Sequence, residues 1–337
     1  MITSLSLANK YRPQTFDEMI GQHHIIGILK AKMQSSRDSL QNYLLTGSRG
    51  TGKTTSARIL AKAINCLQPH DGNPCNVCAN CQTIMKETSL DYIEWDAASH
   101  TQVDKIREEI LDRASYPPVS LKKKIYVIDE VHMLSTGSFN ALLKMIEEPK
   151  DHFCFILATT ALEKVPDTIV SRCQVFQFKK VSEQEMVKNL ANICEKEGFT
   201  YDTEALELIA LISDGGVRDS VKYLDQVSVL GKITQENVSR FLGVSPTVLV
   251  QQFITTVKMG NQQQIFEMIQ EISNQGIDLF QFAKQIIGFI NTHLLEDTAF
   301  YLSLSEAFMN ILKQIKFYPY PEVVYKLALY NMGKEEF

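Results

Sequence analysis

Through the first half of the chain, short apolar runs alternate with stretches whose apolar residues recur every three or four positions. Tyr43-Leu44-Leu45-Thr46, Ile93-Glu94-Trp95-Asp96, Ile125 to Asp129 and Phe153 to Ala158 read as parallel strands. Ala57, Leu60, Ala61 and Ile64 share one face of a helix predicted over 53–64. Phe139, Leu142, Leu143 and Ile146 mark a second helix, which Pro149 should end. From residue 182 onward only the helical period remains. Ser182 with Glu185 forms a capping box, and the helix carrying Leu206, Ile209 and Ala210 should stop at Gly215-Gly216. Gly243-Val244-Ser245-Pro246 reads as a linker. Beyond it, stripes such as Leu279, Phe282, Ile286, Ile287 and Ile290 predict core-facing helices. The expectation is an α/β domain over 1–181, a small helical domain over 182–243 and a helical domain over 244–337. Strand order does not follow from the pattern.

Two of these predicted strands carry chemistry. The first runs into Gly47-Ser48-Arg49-Gly50-Thr51-Gly52-Lys53-Thr54, which fits the phosphate-loop pattern G-x-x-x-x-G-K-[ST] without substitution. Backbone N–H groups converge on a phosphate only through turns that a Cβ would block. Lys53 then reaches the terminal phosphates, Thr54 ligates Mg²⁺, and the helix N-terminus, with Thr55, adds its dipole. The second, Lys124-Ile125-Tyr126-Val127-Ile128, ends in Asp129 and Glu130. Beside such a loop, Asp129 suits Mg²⁺ and Glu130 suits the orientation of an attacking water.

Four cysteines follow the loop's helix: Cys66, Cys75, Cys78 and Cys81, spaced C-x8-C-x2-C-x2-C. Seven cysteines without a signal peptide point to a reducing cytoplasm, where disulfides explain little. Four thiolates close a structural tetrahedral Zn²⁺ site, with Asp71 left over as a weaker ligand. The rival is an iron–sulfur cluster, which the upstream fourth cysteine and the missing C-x3-C-P ending disfavour. Cys154, Cys173 and Cys194 read as small buried hydrophobes.

Composition adds limits. Hydrophobic residues make up 45% and charged residues 22% of 337, ordinary values for a globular chain, and no apolar run approaches the length of a membrane span. The net charge is −5, and the basic clusters Lys122-Lys123-Lys124 and Lys179-Lys180 read as solvated surface. That balance argues against an autonomous duplex-DNA binder. A composite DNA site, with each of several subunits adding a few phosphate contacts, is compatible with it.

The ordered motifs resemble one family. They run from Tyr11-Arg12-Pro13-Gln14-Thr15-Phe16 and Ile20-Gly21-Gln22 through the loop and cysteines to Asp96-Ala97-Ala98-Ser99. Ile128 to Leu134, Phe139 to Lys144, Glu147-Glu148-Pro149 and Leu157-Ala158-Thr159-Thr160 follow. Ser171-Arg172-Cys173 and Gly216-Val217-Arg218-Asp219 complete the set. Over 1–243 the chain resembles the gamma/tau subunits of bacterial DNA polymerase III, the ATPases of the sliding-clamp loader; His100 is one departure from the family's usual residue.

The resemblance implies a doubly wound AAA+ ATPase domain with an inserted zinc knuckle, a helical lid and a helical collar for oligomerisation. It implies that Tyr11, Arg12, Pro13, Met19 and Ile20 flank adenine, that Thr159 senses the γ-phosphate, and that Arg218 is a second sensor. Arg172 would be an arginine finger acting in trans in a neighbour's ATP site. Plainer readings stand beside these: Arg218 as the start of a helix, Arg172 as a surface ion-pair partner. The implied partners are delta- and delta-prime-type subunits in a hetero-pentamer, the sliding clamp and primed DNA. Such a chain groups with DNA-directed DNA polymerase III, yet no polymerase carboxylate palm is visible in it. The alternative is another oligomeric AAA+ motor of DNA metabolism.

Overall fold

The computed structural model describes residues 6–35, 41–99, 112–114, 116–148, 150–243, 245 and 247–332. His100, Pro149, Val244 and Pro246 lie outside them. The chain divides into two compact units, residues 1–186 with 215–219, and residues 187–214 with 220–337.

The first unit is built on five parallel strands: β1 (Tyr43–Gly47), β2 (Tyr92–Asp96), β3 (Lys124–Asp129), β4 (Phe153–Thr159) and β5 (Gln174–Phe178). Their order is β2-β3-β4-β1-β5. Alternate side chains supply two cores, one on each face. Leu45, Ile125, Val127, Ile156 and Phe176 pack with Leu29 of α1 (His23–Ser35) and with Ile59, Leu60 and Ile64 of α2 (Lys53–Asn65). Leu44, Tyr126, Ile128, Phe155 and Leu157 pack with Phe139, Leu142 and Ile146 of α4 (Thr136–Glu147), the short α3 (Ala79–Met85) lying between α2 and β2 in sequence. Helices therefore cover both faces, as a parallel sheet with crossover connections requires. Ser135 caps α4, accepting the Ser138 N–H at 3.2 Å.

One expectation is corrected here. Lys124 is buried, and its ammonium donates to the Arg113 carbonyl at 2.8 Å, because it opens a strand flanked by β2 and β4. The basic cluster at 122–124 is thus smaller on the surface than the sequence suggests.

The approach to β3 is held by a single carboxylate. Asp91, fully buried, accepts the N–H groups of Val119, Ser120 and Leu121 at 2.6–2.9 Å. Burial raises its pKa, but those backbone donors outweigh burial and hold it below the ordinary value. A depressed folded-state pKa stabilises above the unfolded value, and the gain is lost as pH falls through the folded value. Asp91→Asn is therefore expected to cost about 2 kcal/mol at pH 7, in line with hydrogen bonds to a charged group. The gap from wild type should narrow below about pH 4. Denaturant unfolding of both proteins at neutral and acid pH checks this, and a gap independent of pH contradicts it.

The second unit is helical apart from a two-residue parallel ladder, Thr200–Tyr201 with Lys232–Ile233, which the helical period did not signal. At the end of the first unit Ser182 and Glu185 do exchange cap contacts, the Ser182 hydroxyl accepting the Glu185 N–H at 3.3 Å and donating to Glu185 Oε2 at 2.9 Å. The helix Thr203–Ile212 stops just ahead of Gly215-Gly216. Five further helices, from Thr247–Lys258 to Pro321–Met332, enclose Phe253, Phe282, Ile286, Leu304, Phe308 and Tyr325. Among the described residues no helix is long and apolar enough to cross a membrane.

Candidate functional site

β1 ends at Gly47, the chain turns through residues 48–52, and α2 begins at Lys53. Gly52 adopts φ +103°, and a Cβ there would sit 2.6 Å from Met19 Cε. That backbone angle favours glycine, and the Met19 methyl packs into the space a Cβ would take. Thr51 Oγ1 donates to the Ser48 carbonyl at 2.8 Å and tightens the turn. Lys53 is buried, and its Nζ donates to the Gly47 and Ser48 carbonyls, both at 2.8 Å. Burial lowers its pKa, while Glu130 and Asp129 pull it back up. The ammonium thus faces inward with a third donor for an anion.

The Thr54 hydroxyl donates to Asp129 Oδ2 at 2.6 Å, so the two predicted Mg²⁺ ligands are already adjacent. Asp129 Oδ1 accepts the Glu130 N–H at 2.9 Å. Glu130 has φ +48°, a left-handed conformation uncommon outside glycine. That turn aims its carboxylate at the end of β4. There Glu130 Oε2 accepts the Thr160 hydroxyl at 2.9 Å and the Thr160 N–H at 3.2 Å. His132 Nδ1 lies 3.3 Å from the same oxygen and 3.0 Å from the buried Thr159 hydroxyl. Predicted water activator, predicted sensor and imidazole form one cluster. His132 and Thr160 were quoted in the sequence motifs without a role. Their adjacency comes from the parallel pairing of β3 with β4, which the motifs do not display.

Tyr11, Arg12, Pro13 and Ile20 are half-buried, Met19 is buried, and Ser48 and Arg49 are exposed. Met19 links the segment to the loop through Gly52 and to Ser56 Oγ at 3.8 Å from its sulfur. Burial lowers the Arg12 pKa, as do the charges of Arg58 and Arg218, against the pull of Glu94. Arg58 itself is fixed by a two-pronged bond to Glu94 at 2.6 and 2.7 Å. Arg218 stands in the first turn of the helix Val217–Ser228, and its N–H donates to the Gly50 carbonyl at 3.4 Å. This segment returns the chain to the loop and belongs to the first unit. Arg172 is not brought to this cluster. It follows α5 (Asp167–Val170), pairs with Glu147 at 2.9 Å and donates to the Thr168 carbonyl at 2.9 Å.

Cys66, Cys75, Cys78 and Cys81 converge, with all four sulfurs within 4.8 Å of one another and none in a disulfide. A tetrahedral Zn²⁺ with bonds of about 2.3 Å spaces its sulfurs about 3.8 Å apart, so the set fits. Backbone N–H groups already point at sulfur: Cys75 N to Cys66 Sγ at 3.2 Å and Cys78 N to Cys75 Sγ at 3.4 Å. Burial raises the Cys66 and Cys81 pKa values. At Cys78 burial is outweighed by hydrogen bonds from the Leu67 and Cys81 backbone and from neighbouring thiols, and the value falls to about 6. Of the remaining cysteines, Cys154 and Cys194 are buried and Cys173 packs partly buried beside α4 and β4.

Comparison with known proteins identifies the family and the fold. Two family profiles match, "DNA polymerase III, delta subunit" over residues 21–182 and "DNA polymerase III clamp loader subunit, ATPase lid domain" over 185–232. The chain is 40% identical to DNA polymerase III subunit gamma of Buchnera aphidicola subsp. Baizongia pistaciae, over 98% of its own length and 91% of that protein. It is 40% identical to DNA polymerase III subunit tau of Bacillus subtilis, over 87% of its length but 52% of the relative. The tau subunit of Escherichia coli is 38% identical, with 44% of it covered, so the chain spans about half the length of these tau relatives. The Thermotoga maritima RuvB Holliday junction branch migration motor superposes with a TM-score of 0.54 at 19% identity, covering 73% of this chain and 79% of that one. That likeness is one of fold, the AAA+ P-loop ATPase fold. With the phosphate loop intact and the identity extending across nearly all of a gamma subunit, the chain belongs to the DNA polymerase III gamma/tau family of clamp-loader subunits.

Proposed function

We propose that this chain is the ATP-hydrolysing subunit of a clamp loader, acting with delta- and delta-prime-type subunits in a hetero-pentamer to open a sliding clamp and release it on primed DNA. The observation that carries the reading is the pairing of an intact loop with its acidic partners: Lys53 buried in the loop, Thr54 against Asp129, and Glu130 joined to Thr159 through His132. Mg²⁺ bound by Thr54 and Asp129 would neutralise phosphate charge. Lys53 binds the terminal phosphates, and Glu130 orients water once its carboxylate leaves Thr160. Thr159, sharing His132 with Glu130, reports the γ-phosphate to that carboxylate. Arg218 would read the phosphates from the start of its helix, and Arg172 of a neighbouring subunit would complete the site. The four cysteines would hold a structural Zn²⁺, closed by four sulfurs and so without a catalytic position.

ATP occupancy then sets affinity for the clamp, and loss of the γ-phosphate contacts removes it. Steady-state ATPase, measured with clamp, primed DNA and the remaining loader subunits added singly and together, tests the reading. The expected result is stimulation by the full set well beyond the sum of the single additions. A rate indifferent to clamp and DNA overturns it in favour of another AAA+ motor.

A further inference from the structure

The cysteine knuckle faces the N-terminal segment with polar side chains. Its outer turn, His70-Asp71-Gly72-Asn73, is closed by reciprocal backbone bonds of 3.0 and 2.8 Å. Asp71 and Gly72 have φ of +47° and +75°, the left-handed pair of a tight hairpin turn. Gly72 lies so close to α1 that a Cβ would stand 2.7 Å from the Lys30 carbonyl oxygen. The turn therefore delivers Asn73 to one place. Its Oδ1 accepts the Phe16 N–H at 2.9 Å, and its Nδ2 donates to Asp17 at 2.7 Å. A second tie starts from α2. The ammonium of Lys62, 2% exposed, donates to the Gln14 carbonyl and Gln14 Oε1, both at 2.9 Å, and to Asn76 Oδ1 at 2.7 Å. Gln14 Nε2 passes the connection on to the Arg12 carbonyl at 3.0 Å.

Asn73 and Asn76 flank Cys75, so the sulfur cluster sets where both stand. They in turn fix Gln14 and Phe16, and the same short segment ends in Met19 above Gly52 of the phosphate loop. The Phe16 N–H is buried, and a buried donor demands a partner, which Asn73 provides. We infer that the cysteine knuckle is the cis support of the segment that flanks the base of a bound adenine nucleotide, with Asn73 and Lys62 as the positioning residues that transmit its order to Arg12–Met19. This rests on the reading, implied by the family resemblance, of Tyr11, Arg12, Pro13, Met19 and Ile20 as the adenine flank. Its consequence is selective. Loosening the segment lowers the fraction of chains competent to hold the base, and apparent affinity falls by that fraction. The phosphates are held by the loop itself, which has its own bonds.

The test uses the full zinc-loaded chain as wild type, Asn73→Ala and Lys62→Met. Binding of fluorescent N-methylanthraniloyl-ADP is titrated, and inorganic tripolyphosphate with Mg²⁺ is titrated as a competitor that meets the loop alone. Zinc per chain is measured by release to a chromogenic chelator. Both variants should bind the adenine nucleotide about tenfold more weakly, the effect expected when the Phe16 N–H loses its acceptor or the Gln14 carbonyl its donor. Tripolyphosphate affinity should stay within about twofold, with zinc content equal to wild type. The two variants act through different atoms, so one that misfolds leaves the other as the test. Unchanged nucleotide affinity in a zinc-loaded variant overturns the inference while leaving the ATP site standing. An equal loss for nucleotide and tripolyphosphate also overturns it, because the damage then reaches the loop. A wild-type chain that binds no adenine nucleotide overturns the site reading itself, and this inference with it.

Discussion

Replacing Lys53 with Ala is expected to cut ATP turnover about a thousandfold, at the upper end of what one preorganised donor contributes to transition-state charge. The geometry explains why the loss should be large. The Nζ is already desolvated and held by two loop carbonyls at 2.8 Å, so it meets a phosphate without reorganising. Burial opposes the charge, and Asp129 with Glu130 sustains it, which leaves the ammonium poised to stabilise added negative charge. The same substitution removes the cation that ties the carbonyls of Gly47 and Ser48 together, so nucleotide binding should weaken along with turnover. Circular dichroism should show the fold unchanged, since the strand and helix flanking the loop are held by apolar packing of Leu45, Ile59 and Leu60. Turnover by Lys53→Ala within tenfold of wild type, in the presence of clamp, DNA and partner subunits, would sink the proposed function.

Much of the ATPase unit was legible because its strands are buried on both faces and its loop follows a strict pattern. Leu44 and Leu45 point to opposite cores, as a near-continuous apolar run in a parallel sheet predicts. The strand order was not legible. Placing β1 between β4 and β5 depends on pairings such as Leu44 with Leu157 and Val175, more than a hundred residues apart. The same limit hid the partners of Glu130. Its proposed role as water activator follows from its place after Asp129, whereas its bonds to Thr160 and His132 require β3 and β4 side by side. Lys124 shows the reverse error, in which a lysine triplet suggested a solvated face although its last member begins an inner strand. Lys62 and Asn73 are ordinary polar residues on a helix and a turn. Only the close approach of the knuckle to residues 12–17 shows what they bond to.

Arg172→Ala is expected to lower turnover by about a thousandfold, the lower range for loss of an arginine finger, equivalent to about 4 kcal/mol of transition-state stabilisation. The topology keeps this arginine away from its own loop, as the proposed finger in trans requires. In the parallel sheet Gln174 pairs with Tyr43 at the start of β1, whereas the phosphate loop lies past Gly47 at its end. Arg172, two residues before Gln174, is therefore at the opposite end of the strands from its own loop, separated by about 13 Å of strand alone. Asn42 marks the same end, where its carbonyl accepts the Gln174 N–H at 2.8 Å and its side chain donates to the Ile146 carbonyl at 3.5 Å. The guanidinium pairs there with Glu147, and both side chains are more than a third exposed, so the pair adds little stability and can be exchanged for phosphate at modest cost. A finger acting in trans makes a prediction that a structural arginine does not. Arg172→Ala should keep wild-type nucleotide affinity in the isolated chain, because its own loop is intact. Mixed with Lys53→Ala chains, which keep the finger, it should regain a measurable part of the turnover that each variant lacks alone. Mixed assemblies as inactive as their parts would assign Arg172 to the Glu147 pair only and leave the finger to be found elsewhere.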